Sequence, residues 1–110
     1  VKLPNAEDAI IPLSKLRNYC LNEFHPTGKD KARVFKEVLG FDETNAEELL
    51  QLITTAIKSN EVILQREDEY GKRFAVDFTF HKFANEVVIR TSWIIRNNEF
   101  HPRLTSCYIK

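Results

Sequence analysis

The spacing of apolar side chains changes character once along this chain. From Leu13 to Lys58 they recur at the helical period, and from Glu61 onward they alternate. Leu13, Leu16 and Cys20 follow i, i+3, i+7 and predict a helix over Leu13 to Leu21, with Cys20 on its buried side as a plain core thiol. A loop, Asn22 to Gly28, separates it from a second helix at Lys29 to Leu39, for which Gly40 is the expected stop. A third helix runs from about Ala46 to Lys58. Thr44 or Asn45 caps it, and Glu47 and Glu48 suit the positive end of its dipole. Ala46, Leu49, Leu50, Ile53 and Ile57 form its apolar face.

The strand half is plainer. Val62 to Gln65 is a short strand, and Tyr70-Gly71 marks the hairpin after it. Arg73 to Phe80 sets Phe74, Val76, Phe78 and Phe80 against Arg73, Ala75, Asp77 and Thr79. Glu86 to Arg96 sets Val87, Ile89, Thr91, Trp93 and Ile95 against Val88, Arg90, Ser92, Ile94 and Arg96, and Arg103 to Ile109 closes the set. Short connections make neighbouring strands antiparallel. The expected fold is α+β: about three N-terminal helices packed on one face of a four-stranded antiparallel sheet, with the other face open for a site. Ala9-Ile10-Ile11 is apolar enough to add an edge strand.

Composition narrows the class. At 110 residues with 43% hydrophobic and 29% charged positions, the chain reads as one ordered domain, residues 1–110. Sixteen basic and sixteen acidic residues cancel, which argues against a protein that coats DNA non-specifically. No apolar run approaches the ~18 residues of a membrane span. Two cysteines, Cys20 and Cys107, are too few for a secreted disulfide scaffold, so both are expected as reduced thiols of a cytoplasmic protein. With no methionine, the chain has either lost an initiator or been cut from a longer one. Gly-rich phosphate loops and the HExxH motif are absent, and His25, His81 and His101 are not spaced as a metal set. Neither metal nor cofactor is expected.

Three features carry candidate chemistry. With Lys31 set at 0° on the second helix, Val34, Val38, Phe35 and Leu39 fall at about −60°, −20°, 40° and 80°. Lys31 then lies within the apolar stripe. An unpaired ammonium there costs several kcal/mol. It either snorkels to solvent, pairs with a carboxylate such as Asp77, or serves a functional site. His25 precedes that helix, and Gly28 with the amides of Lys29, Asp30 and Lys31 makes a helix start that suits an anion such as phosphate. A loop histidine standing alone is otherwise an ordinary surface residue. From Lys82 onward, five Lys or Arg stand against Glu86 and Glu99, a local charge of +3. Arg90, Thr105, Ser106 and Tyr108 on neighbouring strands suit single-stranded RNA, unless the arginines are merely solvated. Trp93 shares a face with Ile89 and Ile95 and belongs to the core. The acidic runs Asp42-Glu43 and Glu67-Asp68-Glu69 read as solvated turns.

The blocks LPNAEDAIIPLSKLRNYCLN, HPTGKDKARVFKEVLGF, DEYGKRFAVDF and IRTSWIIRNNEFHPRLTSCYIK together resemble a family of small bacterial domains of unknown function. Its members occur free-standing and at the C-termini of secreted polymorphic toxins. In element order the family is similar to the barnase–EndoU–colicin–RelE group of metal-independent ribonuclease toxins. The resemblance covers nearly the whole chain. It matches His25, Gly28, Lys31, Phe35 and Gly40 in the helical half, Tyr70 and Gly71 at the hairpin, and Arg90, Thr91, Trp93, Pro102, Leu104, Ser106 and Tyr108 in the sheet. Packing and turns account for Phe35, Gly40 and Leu104.

The resemblance implies an endoribonuclease toxin acting on RNA, tRNA among the candidates, and held in check by a small cognate antitoxin or immunity protein. The family has no settled catalytic set; from the chemistry of the residues, His25 is assigned as general acid or base, Lys31 and Arg90 as stabilising the phosphorane, and Ser106 and Tyr108 as orienting the phosphate or donating a proton. Gly28, Lys29, Thr91 and Arg103 complete the expected substrate contacts. The alternative is a non-catalytic module of such a system, either immunity-like or RNA-binding.

Overall fold

Apolar side chains from both halves of the chain meet in one layer between helices and sheet. The computed structural model describes residues 1–110. After a 3-10 turn at Ala6–Asp8, helix α1 begins at Leu13–Lys15 and widens into a π-helical turn, Leu16–Cys20. Helix α2 repeats the pattern, α-helical over Lys29–Val34 and π-helical over Phe35–Leu39. Gly40, at φ 69°, ends it in the left-handed region. A 3-10 turn, Glu43–Asn45, feeds α3 (Ala46–Ser59). Strands β1 (Val62–Asp68), β2 (Gly71–Lys82), β3 (Asn85–Arg96) and β4 (Arg103–Ile109) follow as an antiparallel meander in the order β1-β2-β3-β4. This is the expected α+β architecture, with three helices preceding a four-stranded sheet.

The period-2 pattern does the sorting. Phe74, Val76, Phe78, Ile89, Trp93, Leu104 and Cys107 face the helices and are buried against Leu16, Phe35, Leu39, Leu49, Ile53 and Ile57. The exposed area of 6422 Å² is near the roughly 6,300 Å² that mass scaling gives a well-packed chain of this size. Cys20 and Cys107 are both free and buried, α1 meeting β4. Burial pushes the Cys20 thiol up to about 11, and raises that of Cys107 well above its ordinary value.

Three local details depart from the sequence pattern. Asn45 stands at the N-cap of α3, as one of the two expected positions, but makes no side-chain cap bond there; the capping side chain is Asp42, one 3-10 turn earlier. Its carboxylate accepts from the Thr44 amide while the Asn45 side chain accepts from the Asp42 amide, so Asp42 is more than a solvated turn residue. Ile10 makes a single bridge to β4, its N–H donating to the Pro102 carbonyl and its carbonyl accepting from Leu104, rather than a full edge strand. Strand β1 extends to Asp68, beyond the apolar run that marked it.

The β1–β2 turn depends on Gly71. Its φ is 146°, and a Cβ there would lie 2.2 Å from the Ile95 carbonyl oxygen. At Gly40 nothing lies within 4 Å of an added Cβ. Gly40→Ala therefore costs only backbone strain, about 1–2 kcal/mol. Gly71→Ala adds a clash with β3 and costs more, about 3 kcal/mol. Urea-unfolding midpoints of the two variants check that order.

Candidate functional site

Strand register brings together groups that lie far apart in the chain. On the face away from the helices, Asp77, Arg90 and Tyr108 stand side by side across β2, β3 and β4. Arg90 donates through Nε to Asp77 Oδ1 at 2.8 Å and through Nη2 to Oδ2 at 3.0 Å. Lys110 Nζ donates to Oδ2 at 3.3 Å. The Arg90 guanidinium, and then Lys110, hold the Asp77 carboxyl below the usual carboxylate range, and Asp77 raises Arg90 in turn. The Tyr108 phenol lies against Arg90 and adds to that effect.

From the first turn of α2, Lys31 places Nζ 4.1 Å from the centroid of the Tyr108 ring. Lys31, Arg90 and Tyr108 thus form one cluster at the β4 side of the sheet. Ser106, opposite Ser92, is two residues from Tyr108 on the same face. The cluster is open: no surface depression is lined by Lys31, Arg90, Ser106 or Tyr108.

Lys31 is exposed rather than set in the buried stripe. Ala32, Phe35 and Leu39 are the buried residues of α2, and Gly28 packs on the Tyr19 ring. The face they define is centred about 70° from Lys31, so the lysine sits at its margin and Val34 on its far side is partly exposed. Its stem reaches around the β4 edge, the snorkelling outcome with an aromatic ring as partner.

His25 keeps other company. Its ring meets Tyr19 edge-on at 4.7 Å, beside a shallow hollow lined by Pro12, Ser14, Lys15, Asn18 and Tyr19. The Thr27 and Gly28 amides both donate to Nδ1 at 3.1 Å. An Nδ1 that accepts twice leaves the neutral ring's proton on Nε2, so the free nitrogen is a hydrogen-bond donor. The structure shows no contact between His25 and the Lys31 cluster. The Lys15 and Lys31 ammoniums offset a little of the rise that burial imposes on the Cys20 thiol.

Several expected substrate contacts have structural duties instead. Thr91 is fully buried; its hydroxyl donates to the Val76 carbonyl at 2.7 Å and accepts from Trp93 Nε1 at 2.8 Å. Gly28 is buried, and a Cβ there would come 2.9 Å from the Tyr19 carbonyl oxygen. The helix start is a poorer anion site than expected, because the Gly28 and Lys29 amides are taken by Nδ1 and the carbonyl of His25. Lys29 remains exposed at that turn. Arg103 is clamped bidentately by Glu99 at 2.8 and 2.9 Å, at the opposite end of β4 from Tyr108. Sequence reasoning missed Asp77 and Lys110 as neighbours of Arg90 and Tyr19 as the seat of His25. Alternation put Asp77 and Arg90 on the polar side of their strands, and only the register pairs them.

Two outcomes follow. Thr91→Val keeps the shape but strands the buried indole N–H, costing about 1–3 kcal/mol in urea unfolding. Asp77 titrates lower folded than unfolded, so its stabilising effect is complete above the unfolded value near ~4 and drains away as pH falls through the lower folded value. The stability gap between the native protein and Asp77→Asn should therefore shrink across that acid range, as urea midpoints measured against pH will show.

No curated protein and no solved structure matches the chain. A family model described as "Domain of unknown function (DUF6883)" matches residues 2–110, and the chain belongs to that family.

Proposed function

We propose that this domain is a metal-independent endoribonuclease, the toxin of a bacterial toxin–antitoxin or toxin–immunity system acting in the cytoplasm. The observation that carries the reading is the cluster of Lys31, Arg90 and Tyr108, drawn from three distant stretches of chain onto one open face with Ser106 beside it. Two cations and a phenol at one point match the needs of a phosphate that gains negative charge as a neighbouring 2′-hydroxyl attacks it. Lys31 and Arg90 stabilise that charge, Asp77 fixes the Arg90 fork, and the Tyr108 and Ser106 hydroxyls orient the non-bridging oxygens. His25, with its proton on Nε2, donates a hydrogen bond to a neighbouring phosphate once RNA spans the ground between the hollow and the cluster. As the 2′-oxygen bonds to phosphorus its proton passes to solvent, the bond from phosphorus to the 5′-oxygen breaks, and the departing 5′-oxygen takes the Tyr108 phenol's proton, which solvent restores, leaving a 2′,3′-cyclic phosphate. A small cognate antitoxin or immunity protein is the expected partner.

One observation favours a second reading. The cluster lies on an open face, and Asp77, which also accepts from Lys110, already neutralises and braces Arg90, an arrangement suited to holding RNA without cutting it. Incubation with total RNA in EDTA separates the two. The nuclease reading expects fragments ending in cyclic phosphate, cleavage lowered about 10²–10³-fold by Lys31→Ala, and weaker cleavage with His25→Ala while circular dichroism is unchanged. Uncut RNA that is still shifted on a gel, together with harmless expression in a bacterial host, would leave the binding module standing.

A further inference from the structure

The sheet has an edge that its own first strand leaves uncovered. Strand β1 begins at Val62, paired with Val76, and Glu61 before it lies opposite Asp77, so β2 from Phe78 to Lys82 has no paired strand on that side. The direction of the main-chain groups follows from three contacts. The Val76 carbonyl accepts from the Thr91 hydroxyl on β3, the Val88 carbonyl accepts from the Lys110 amide on β4, and the Val62 amide turns away from β2 to the Val1 carbonyl. Even-numbered residues of β2 therefore bond to β3. The N–H and C=O groups of Thr79 and His81 point to the vacant side, while those of Asp77 face Glu61.

Beside that edge lies a groove of about 480 Å³ between β2 and α3, lined by Gln51, Leu52, Thr55, Ala56, Phe78 and Phe80 among others. A row of unpaired amides and carbonyls next to an apolar trough is the feature that binds an extended chain by strand addition.

We propose that the β2 edge over Phe78–Lys82 docks an extended segment of a partner protein, which adds a fifth strand in line with β1 and sets an apolar side chain into the α3 groove. The main-chain groups of Thr79 and His81 supply its hydrogen bonds. Alternate partner side chains are apolar toward Leu52, Ala56 and Phe80, and polar toward Thr79 and His81 on the other face.

A second copy of this chain fits poorly. Antiparallel self-pairing centred on Thr79 would set His81 of the copy opposite Asp77, and the copy's hairpin at Phe83-Ala84 would then run into Val62 and Glu61. A free segment of about six residues has no such hairpin to place. The remaining edge of β1 is a weaker candidate, because a bulge at Gln65 and the run Arg66-Glu67-Asp68 guard it.

The test begins with hydrogen exchange of the full chain. Amides of Thr79 and His81 should exchange fast, and those of Phe78 and Phe80 slowly. The probe is then a displayed library of heptapeptides with apolar residues at alternate positions and randomised polar residues between them. Selected peptides should shift the amide resonances of Thr79 and His81 together with those of Leu52 and Thr55. Thr79→Pro removes one outward N–H without touching the β3 ladder and should weaken those peptides at least tenfold. Thr55→Arg, which fills the groove and leaves the strand intact, should do the same. Protected edge amides, a library yielding no peptide sensitive to either substitution, peptides that shift resonances elsewhere, or a dimer abolished by Thr79→Pro would each overturn the proposal. RNA cleavage does not enter the measurement, so its outcome is independent of the nuclease reading.

Discussion

The Thr91 hydroxyl is the hinge of the sheet's design. It is the one polar side chain among the buried residues, and it is satisfied in both directions, by the Val76 carbonyl and the Trp93 indole. Its position holds β2 and β3 in register and fixes the largest core side chain. Because side chains alternate at a period of two, that same register sends Arg90 outward to Asp77. A slip by one residue would bury the guanidinium and expose Trp93, so core and polar face are specified by one choice.

The bulge in β4 adds a second constraint. Ser92 pairs with Ser106 and Trp93 with Leu104, leaving Thr105 as the extra residue. Leu104 and Cys107 can then both face the helices although three positions separate them, while Ser106 and Tyr108 share the outer face with Arg90. Without that insertion the odd spacing would send one of the two apolar side chains to solvent. The polar cluster therefore rests on an irregularity in an otherwise regular meander.

Much of the architecture was legible because it depends on local periodicity. The change from a 3.6 to a 2.0 repeat at Glu61 marked helices and strands, Gly40 marked the end of α2, and the Phe74-Val76-Phe78 row marked the core face. The cluster was only half legible. Alternation put Arg90 and Tyr108 on polar sides, but pairing across a bulge depends on tertiary contacts. Lys31 was misplaced for a geometric reason: Gly28, whose closeness to Tyr19 shifts the buried face, has no side chain to register in an apolar pattern. His25 was identified as a titratable group, and its hydrogen-bonded tautomer follows only from the turn geometry at Thr27 and Gly28. Alternation sets Thr91 on the face of Ile89 and Trp93, so its burial was legible and its reading as a substrate contact ran against that pattern; its bond to the Trp93 indole is visible only in the fold.

The paired sulfurs at the seam between α1 and β4 give the molecule a built-in reporter of its own breathing. Each is sealed from solvent and kept protonated by its surroundings, so neither reacts while the helical layer stays seated. A thiol reagent in excess gains access only when α1 lifts away from the sheet, and the labelling rate then counts those excursions. Because α2, with Lys31, packs against both α1 and β4, the same excursions would loosen the lysine's seat over Tyr108. The lifetime of the assembled cation cluster is thereby tied to the lifetime of a purely apolar contact behind it.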